Sequence, residues 1–254
     1  MRIAALYDIH GNLPALEATL DQIARAEVDA IVVGGDVVAG PMPAETLACL
    51  RALTLPVHFI RGNADREIAE RMVGAVPDNT LPDHVREIVD WAARQLSPDD
   101  GRFLASWPLT LRLPIPGLGT VLFCHATPRS DTPVFTRTTP EAQLLDTFRD
   151  TDAALVVCGH THMPFDRQIS GVRVVNAGSV GMPYGAPGAH WLLLGPGIEP
   201  RRASYDRERA AARIRATSYP QRDDFADNNV LHIPSEAEAL AVFTPMEIGA
   251  SRTA

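Results

Sequence analysis

The sequence predicts an α/β protein built on a parallel sheet, with a second sheet behind it, from three observations. Within the first 65 residues, apolar runs alternate with amphipathic stretches, and each run ends in a polar loop: Asp8-Ile9-His10, Gly35-Asp36 and Gly62-Asn63. The second run, Asp29 to Gly34, is apolar at consecutive positions, as expected of a strand covered on both faces. Later, two apolar runs flank Ser170-Gly171 in the manner of an antiparallel pair.

In chain order, Arg2 to Tyr7 reads as the opening strand, and Pro14 starts a helix to about Ala26 because proline suits a first helical turn. Leu13, Leu16, Leu20 and Ile23 mark its buried side. Asp29 to Gly34 is a strand, Ala44 to Leu53 a helix, and Val57 to Ile60 a third strand. Residues 66–107 break the alternation. They read as a helical insertion, with pieces at Arg66 to Val73, Pro82 to Leu96 and Pro98 to Ser106, and with Pro77 and Pro82 between the first two. The insertion is too small for a core of its own, so 1–254 is expected to form a single domain. Leu109 to Leu113 and Thr120 to Cys124 form a hairpin-like pair, and Pro140 to Arg149 a helix. Ala153 to Val157, Phe165 to Ile169, Val172 to Val175 and Trp191 to Leu194 are further strands, and the antiparallel pairing through Ser170-Gly171 puts a second sheet among these four. An extension from about residue 199 holds a last strand, Arg201 to Tyr205, and a helix from Asp206 to Ala216. The stretch from Tyr219 to Ala254 is expected to pack one helix, Ser235 to Val242, and then fray.

Composition narrows the function. The 254 residues are 46 % apolar and 21 % charged, which fits an ordinary globular chain able to bury a large core. A net charge of −8 disfavours general nucleic-acid or anionic-membrane binding. There is no lysine, so neither a Gly-Lys phosphate loop nor a Schiff-base mechanism is available. Three cysteines without a close pair suggest a reducing, cytoplasmic setting, and Cys124 and Cys158 read as small buried apolar residues. The start of the chain has no signal-peptide pattern, and no apolar run is long enough for a membrane helix.

Ligands in such sheets sit beyond the carboxyl ends of the strands, where the polar loops lie. Two more strand ends join them: His125 after Thr120 to Cys124, and Gly159-His160-Thr161-His162 after Ala153 to Val157. Each residue has an ordinary reading alone. Asp8 and Asp36 suit turns, Gly-Asn is a turn dipeptide, and Asp65 suits a local cap or a partner for Arg66. Together, Asp8, His10, Asp36, Asn63, His125, His160 and His162 exceed what one ion needs. Two divalent ions about 3.5–4 Å apart, bridged by one carboxylate, would use them all. Carboxylate, imidazole and carboxamide oxygen suit manganese, iron or zinc, with magnesium or nickel also compatible. Arg129 is a candidate fork donor to phosphate.

The ordered set Asp8-Ile9-His10, Gly35-Asp36 with Gly40, Gly62-Asn63-Ala64-Asp65, His125 and Gly159-His160-Thr161-His162 resembles the calcineurin-like metallophosphoesterase superfamily over about residues 2 to 195. Asp8-Ile9-His10-Gly11-Asn12 and Asn176-Ala177-Gly178-Ser179 make its short bacterial phosphodiesterase branch the nearest likeness. The resemblance implies a four-layer αββα sandwich of two mixed sheets flanked by helices. It implies that Asp8, His10 and His162 hold one ion, that Asp36 bridges, and that Asn63, His125 and His160 complete the second site. The chemistry implied is hydrolysis of a small-molecule phosphoester, a diester more than a monoester, by attack of a metal-bridging hydroxide, with Asn63 and His125 near the phosphate. The chain departs from the family at Ala64, where a histidine often serves as proton donor or phosphate ligand. The competing expectations are a non-catalytic interaction protein of the same fold, which would usually have lost ligands, and a nuclease, which the acidic balance disfavours. The sequence names neither the substrate nor an oligomeric state.

Overall fold

The computed structural model describes residues 1–75 and 81–249. Pro77 and the fraying expected over 250–254 lie outside the described residues. Two mixed five-stranded sheets stack face to face. The first has the order β10 (Ile198–Ala203), β9 (Ala189–Leu194), β1 (Ile3–Leu6), β2 (Ala30–Val33) and β3 (Val57–Phe59). The second has the order β4 (Thr110–Ile115), β5 (Gly119–Cys124), β6 (Leu155–Cys158), β8 (Val172–Asn176) and β7 (Phe165–Ile169). β1, β2 and β3 run parallel, as do β5, β6 and β8, while β9, β10, β4 and β7 close the edges antiparallel.

Strand alternation sorts the core into layers. Ala4 and Leu6 of β1 face outward onto α1 (Leu13–Arg25), whose Leu16 and Ile23 are buried with them. Ile3, Ala5 and Tyr7 face inward, against Val121, Phe123 and Val157 of the other sheet. Leu122, Cys124 and Val156 point away again, under Leu144 and Phe148 of α6 (Glu141–Phe148). Helices therefore cover both outer faces, giving the αββα layering.

Three elements depart from sequence expectation, the simplest being the last strand, which runs Ile198–Ala203 and not Arg201 to Tyr205. Trp191 to Leu194 pairs antiparallel with β1 in the first sheet and does not extend the second. Hydrophobic pattern selects a buried strand but not its neighbour, because both sheets bury the same kind of surface. Helix α3 (Asn63–Met72) begins at Asn63, three residues before Arg66. Asp65 explains the shift: its carboxylate accepts the Gly62 N–H at 3.1 Å, capping the helix from its own third position.

The insertion continues as α4 (Asp83–Gln95) and α5 (Pro98–Ala105), both packed onto the outer core through Val89, Trp91 and Leu104. Phe103 and Trp107 pack with Phe59, ring centroids 5.2 and 4.9 Å away. After α7 (Arg207–Arg215) the chain forms α8 (Arg222–Phe225), a π-helical turn (Ala226–Leu231) and α9 (Glu236–Phe243). The short α8 and the π-helical turn carry no periodicity long enough to read from sequence. The tail docks where Ile248 N–H donates to Val134 O at 2.9 Å.

Candidate metal centre

The carboxyl ends of β1, β2, β5 and β6 meet at one point between the sheets, and backbone hydrogen bonds hold their loops there. Asp8 N–H donates to Gly35 O at 3.1 Å and His10 N–H to Asp36 O at 2.9 Å, so the two polar loops continue the pairing of β1 with β2. Val180 N–H donates to Tyr7 O and Gly181 N–H to Asp8 O, both at 2.9 Å, bringing in the loop after β8. His160 N–H donates to Asp8 Oδ2 at 2.9 Å.

Asp8, His10, Asp36, His160 and His162 all hold a positive φ, between 47° and 67°. Among the described residues only two other non-glycine positions do so, Glu27 and Ser170. Such conformations cost about 1–3 kcal/mol each and persist only when surroundings over-determine them. Two glycines permit the approach: a Cβ at Gly62 would lie 2.1 Å from Asp36 Oδ1, and one at Gly159 would lie 2.4 Å from Asp8 Oδ2.

Each of the four histidines has one ring nitrogen fixed by a carbonyl. His10 Nδ1 donates to Ala39 O at 3.1 Å, His125 Nδ1 to Gly34 O at 2.9 Å, His162 Nδ1 to Met182 O at 2.8 Å, and His160 Nε2 to Thr132 O at 3.0 Å. A carbonyl only accepts, so these nitrogens carry the protons and the opposite nitrogens of the neutral rings carry lone pairs. Those lone pairs face each other: His10 Nε2 and His162 Nε2 are 3.2 Å apart, as are His125 Nε2 and His160 Nδ1. Two lone pairs at that separation repel unless a proton or a metal cation lies between them, and a divalent ion satisfies both at once.

The carboxylates complete two groups. Asp8 Oδ1 lies 3.4 Å from His162 Nε2 and joins Asp8, His10 and His162. Asp36 Oδ2 lies 3.4 Å from His125 Nε2 and joins Asp36, His125 and His160. It is also 3.7 Å from His10 Nε2, so Asp36 reaches both groups. Asp8 Oδ1 and Asn63 Oδ1 are buried with no hydrogen-bond partner in the structure. Orphaned oxygens of this kind are costly unless something positive meets them. Burial works against ionising Asp36, yet His125, His10 and His160 hold its carboxyl far below the usual range. Burial disfavours a charged His125, but Asp36 outweighs it, so without a metal ion a proton takes the cation's place and the imidazolium is pushed up to about 10. The donor set attracts positive charge and fits a pair of divalent ions.

Supporting residues include Asn176, part of a stretch singled out in the sequence, and others that carry no motif. Asn176 Nδ2 donates to Gly159 O at 2.6 Å and its Oδ1 accepts from Gly178 N–H at 2.8 Å, so it shapes the histidine loop. Asp131 is buried 3.0 Å from Arg66 Nε and 3.3 Å from Arg61 Nε, beside the Thr132 carbonyl that fixes His160. Tyr184 stacks on His162 with ring centroids 5.8 Å apart. Asp131 and Tyr184 sit in loops where nothing in composition separates them from solvated residues. Arg129 is not brought to the group: its exposed guanidinium lies 3.6 Å from Asp150. Asp65 does not pair with Arg66. It accepts N–H groups of Val37, Val38 and Gly62, while burial and the neighbouring Asp36 push its carboxyl up to about 7.

A cleft of about 240 Å³ opens beside His10, Asp36 and Asn63. Ala64 and Glu67 of α3 line its near side, and burial pushes the Glu67 carboxyl up to about 7. Its outer wall comes from α4 and from residues between 219 and 229. No helix among the described residues is long and apolar enough to cross a membrane.

Comparison with known proteins agrees with this arrangement. The chain is 27 % identical over 239 residues to an uncharacterized protein of Methanocaldococcus jannaschii, covering 86 % of this chain and 94 % of that one. A metallophosphoesterase from Sphaerobacter thermophilus superposes with a TM-score of 0.71 at 26 % identity, covering 91 % of this chain and 98 % of that one. A hypothetical protein from Pyrococcus horikoshii shares the fold, with a TM-score of 0.76 at 21 % identity over 89 % of this chain and 97 % of that one. The model of the calcineurin-like phosphoesterase superfamily domain matches residues 1–195, the same span that carries every strand-end donor described above, and the chain belongs to that superfamily.

Proposed function

We propose that the chain is a dinuclear, metal-dependent phosphodiesterase acting on a small-molecule phosphoester. The observation that carries this reading is the locked tautomers: four imidazoles, each tied to a carbonyl, face one another in pairs at 3.2 Å. Asp8, His10 and His162 would hold one ion, Asn63, His125 and His160 the other, with Asp36 shared. Two divalent ions there would acidify a water and offset charge on a phosphoryl group. Manganese, iron or zinc suits these donors best.

The chain's own residues do the placing. Ala64 N–H donates to Asp36 Oδ1 at 3.0 Å, so the start of α3 stabilises the shared carboxylate where positive helix-end charge is available. Asn63, the first residue of α3, lines the same cleft as His10 and Asp36, and its side-chain oxygen is buried without a partner. A diester is favoured over a monoester because no arginine is among the described residues lining the cleft. A monoester near neutrality approaches two negative charges and a diester carries one. Three free cysteines support a reducing, cytoplasmic setting.

The test is chelation and reconstitution with bis(p-nitrophenyl) phosphate as substrate. The stripped protein is expected to be inactive and to recover with added Mn²⁺, and Asp36→Asn to stay inactive with Mn²⁺ present. Hydrolysis that survives exhaustive chelation without added metal would overturn the proposal.

A further inference from the structure

The family match ends at residue 195, but the cleft beside the metal centre is finished by residues beyond it. Tyr219, Phe225 and Asn229 face Val85 and Ile88 of α4 across the opening. This outer segment is fastened to α4: Tyr219 meets Trp91 edge-on with ring centroids 5.2 Å apart, and Gln221 Nε2 donates to His84 O at 3.0 Å. Asn229 lies in the π-helical turn Ala226–Leu231, a rare geometry frequent at functional sites.

The chemistry of the wall is one-sided. The chain has 23 arginines, yet none is among the described residues lining this cleft. Beyond the metal donors, its acidic side chains are Glu67 and Asp224, of which the exposed Asp224 carries the charge at the mouth. The other walls are apolar or amide. A negatively charged substituent would meet like charge and no fork donor. At about 240 Å³ the space admits a phosphoryl group with one compact substituent, not an oligonucleotide.

We infer that residues 219–229 and α4 form the pocket for the organic substituent of the phosphoester, and that this pocket selects a compact, partly apolar group carrying no negative charge. The inference rests on the proposed function, which sets the phosphoryl group against His10, Asp36 and Asn63. The C-terminal extension is then a specificity element. Asp224 is exposed, with one carboxylate oxygen accepting from Asn228 Nδ2 at 2.7 Å, and it sets the charge preference at the mouth. Ile88, half-buried, sets the apolar preference.

The experiment is calorimetric binding of three P-methylphosphinates, which carry the single charge of a diester and have no ester bond to hydrolyse, to the full chain in excess Mn²⁺. The probes are methyl(phenyl)phosphinate, methyl(2-aminoethyl)phosphinate and methyl(2-carboxyethyl)phosphinate. The first two should bind about tenfold tighter than the third. Asp224→Arg should reverse the order of the aminoethyl and carboxyethyl probes, and Ile88→Ser should weaken the phenyl probe selectively. The inference is overturned if the carboxyethyl probe binds the wild type as tightly as the others. It is also overturned if neither variant moves the ranking, or if no phosphinate binds. Hydrolysis of bis(p-nitrophenyl) phosphate alongside any of those failures leaves the proposed function standing. The expected ranking without hydrolysis supports the pocket and removes the proposed function.

Discussion

Ala64 lines the cleft as the second residue of α3, and its N–H is already engaged by Asp36. A methyl group there cannot protonate a departing alcohol, so the chain is expected to favour esters whose leaving group needs no proton. Ala64→His should raise kcat/KM on a dialkyl phosphate by about 10²-fold, the low end of general acid–base contributions. The same variant should leave bis(p-nitrophenyl) phosphate nearly unchanged. Equal effects on both esters, or none on either, would show that proton donation is not what Ala64 lacks. The ionisable and amide donors of this site were legible because aspartate, histidine and Gly-Asn at strand ends are residue types with few other uses in that pattern. The carbonyls of Gly34, Ala39, Thr132 and Met182, which fix the imidazoles, have no sequence signature, since every residue carries one.

At the scale of elements, α3 ties the insertion to the site. Asp65 is fully buried and accepts three backbone N–H groups, from Val37 at 2.9 Å, Val38 at 3.2 Å and Gly62 at 3.1 Å. It thereby caps α3 and fixes the loop that carries Asp36. Asp65→Ala removes the cap and strands buried donors, and should lower unfolding stability by roughly 3 kcal/mol or more. Urea unfolding checks this, and a loss below about 1 kcal/mol would mean that water replaces the carboxylate at little cost. Strands and long helices were readable because each needs a whole buried face, as the alternation of Ile3, Ala5 and Tyr7 against Ala4 and Leu6 shows. The short α8 and the π-helical turn were not, because four to six residues hold too little periodicity to distinguish helix from loop.

For the whole molecule, the centre joins the two sheets, and ions bound there would cross-link loops of both. Each ion at a hundred times its dissociation constant stabilises the fold by about 2.7 kcal/mol, or roughly 5–10 °C in Tm at this chain length. Chelation should therefore lower Tm by at least that amount, and Mn²⁺ should restore it. A Tm insensitive to both treatments would mean that the donor set holds no ion tightly.

The sequence by itself determined which residue types stand at the strand ends and that the fold is α/β, since residue type and periodicity are local properties. It also confined the polar loops to the carboxyl ends of strands. Only the tertiary structure decided that β9 joins the first sheet, that four distant carbonyls fix the imidazoles, and that residues 219–229 close the cleft. Those facts depend on which surfaces meet across long stretches of chain. Surfaces of similar composition compete for the same neighbours, and packing of the complete chain chooses among them.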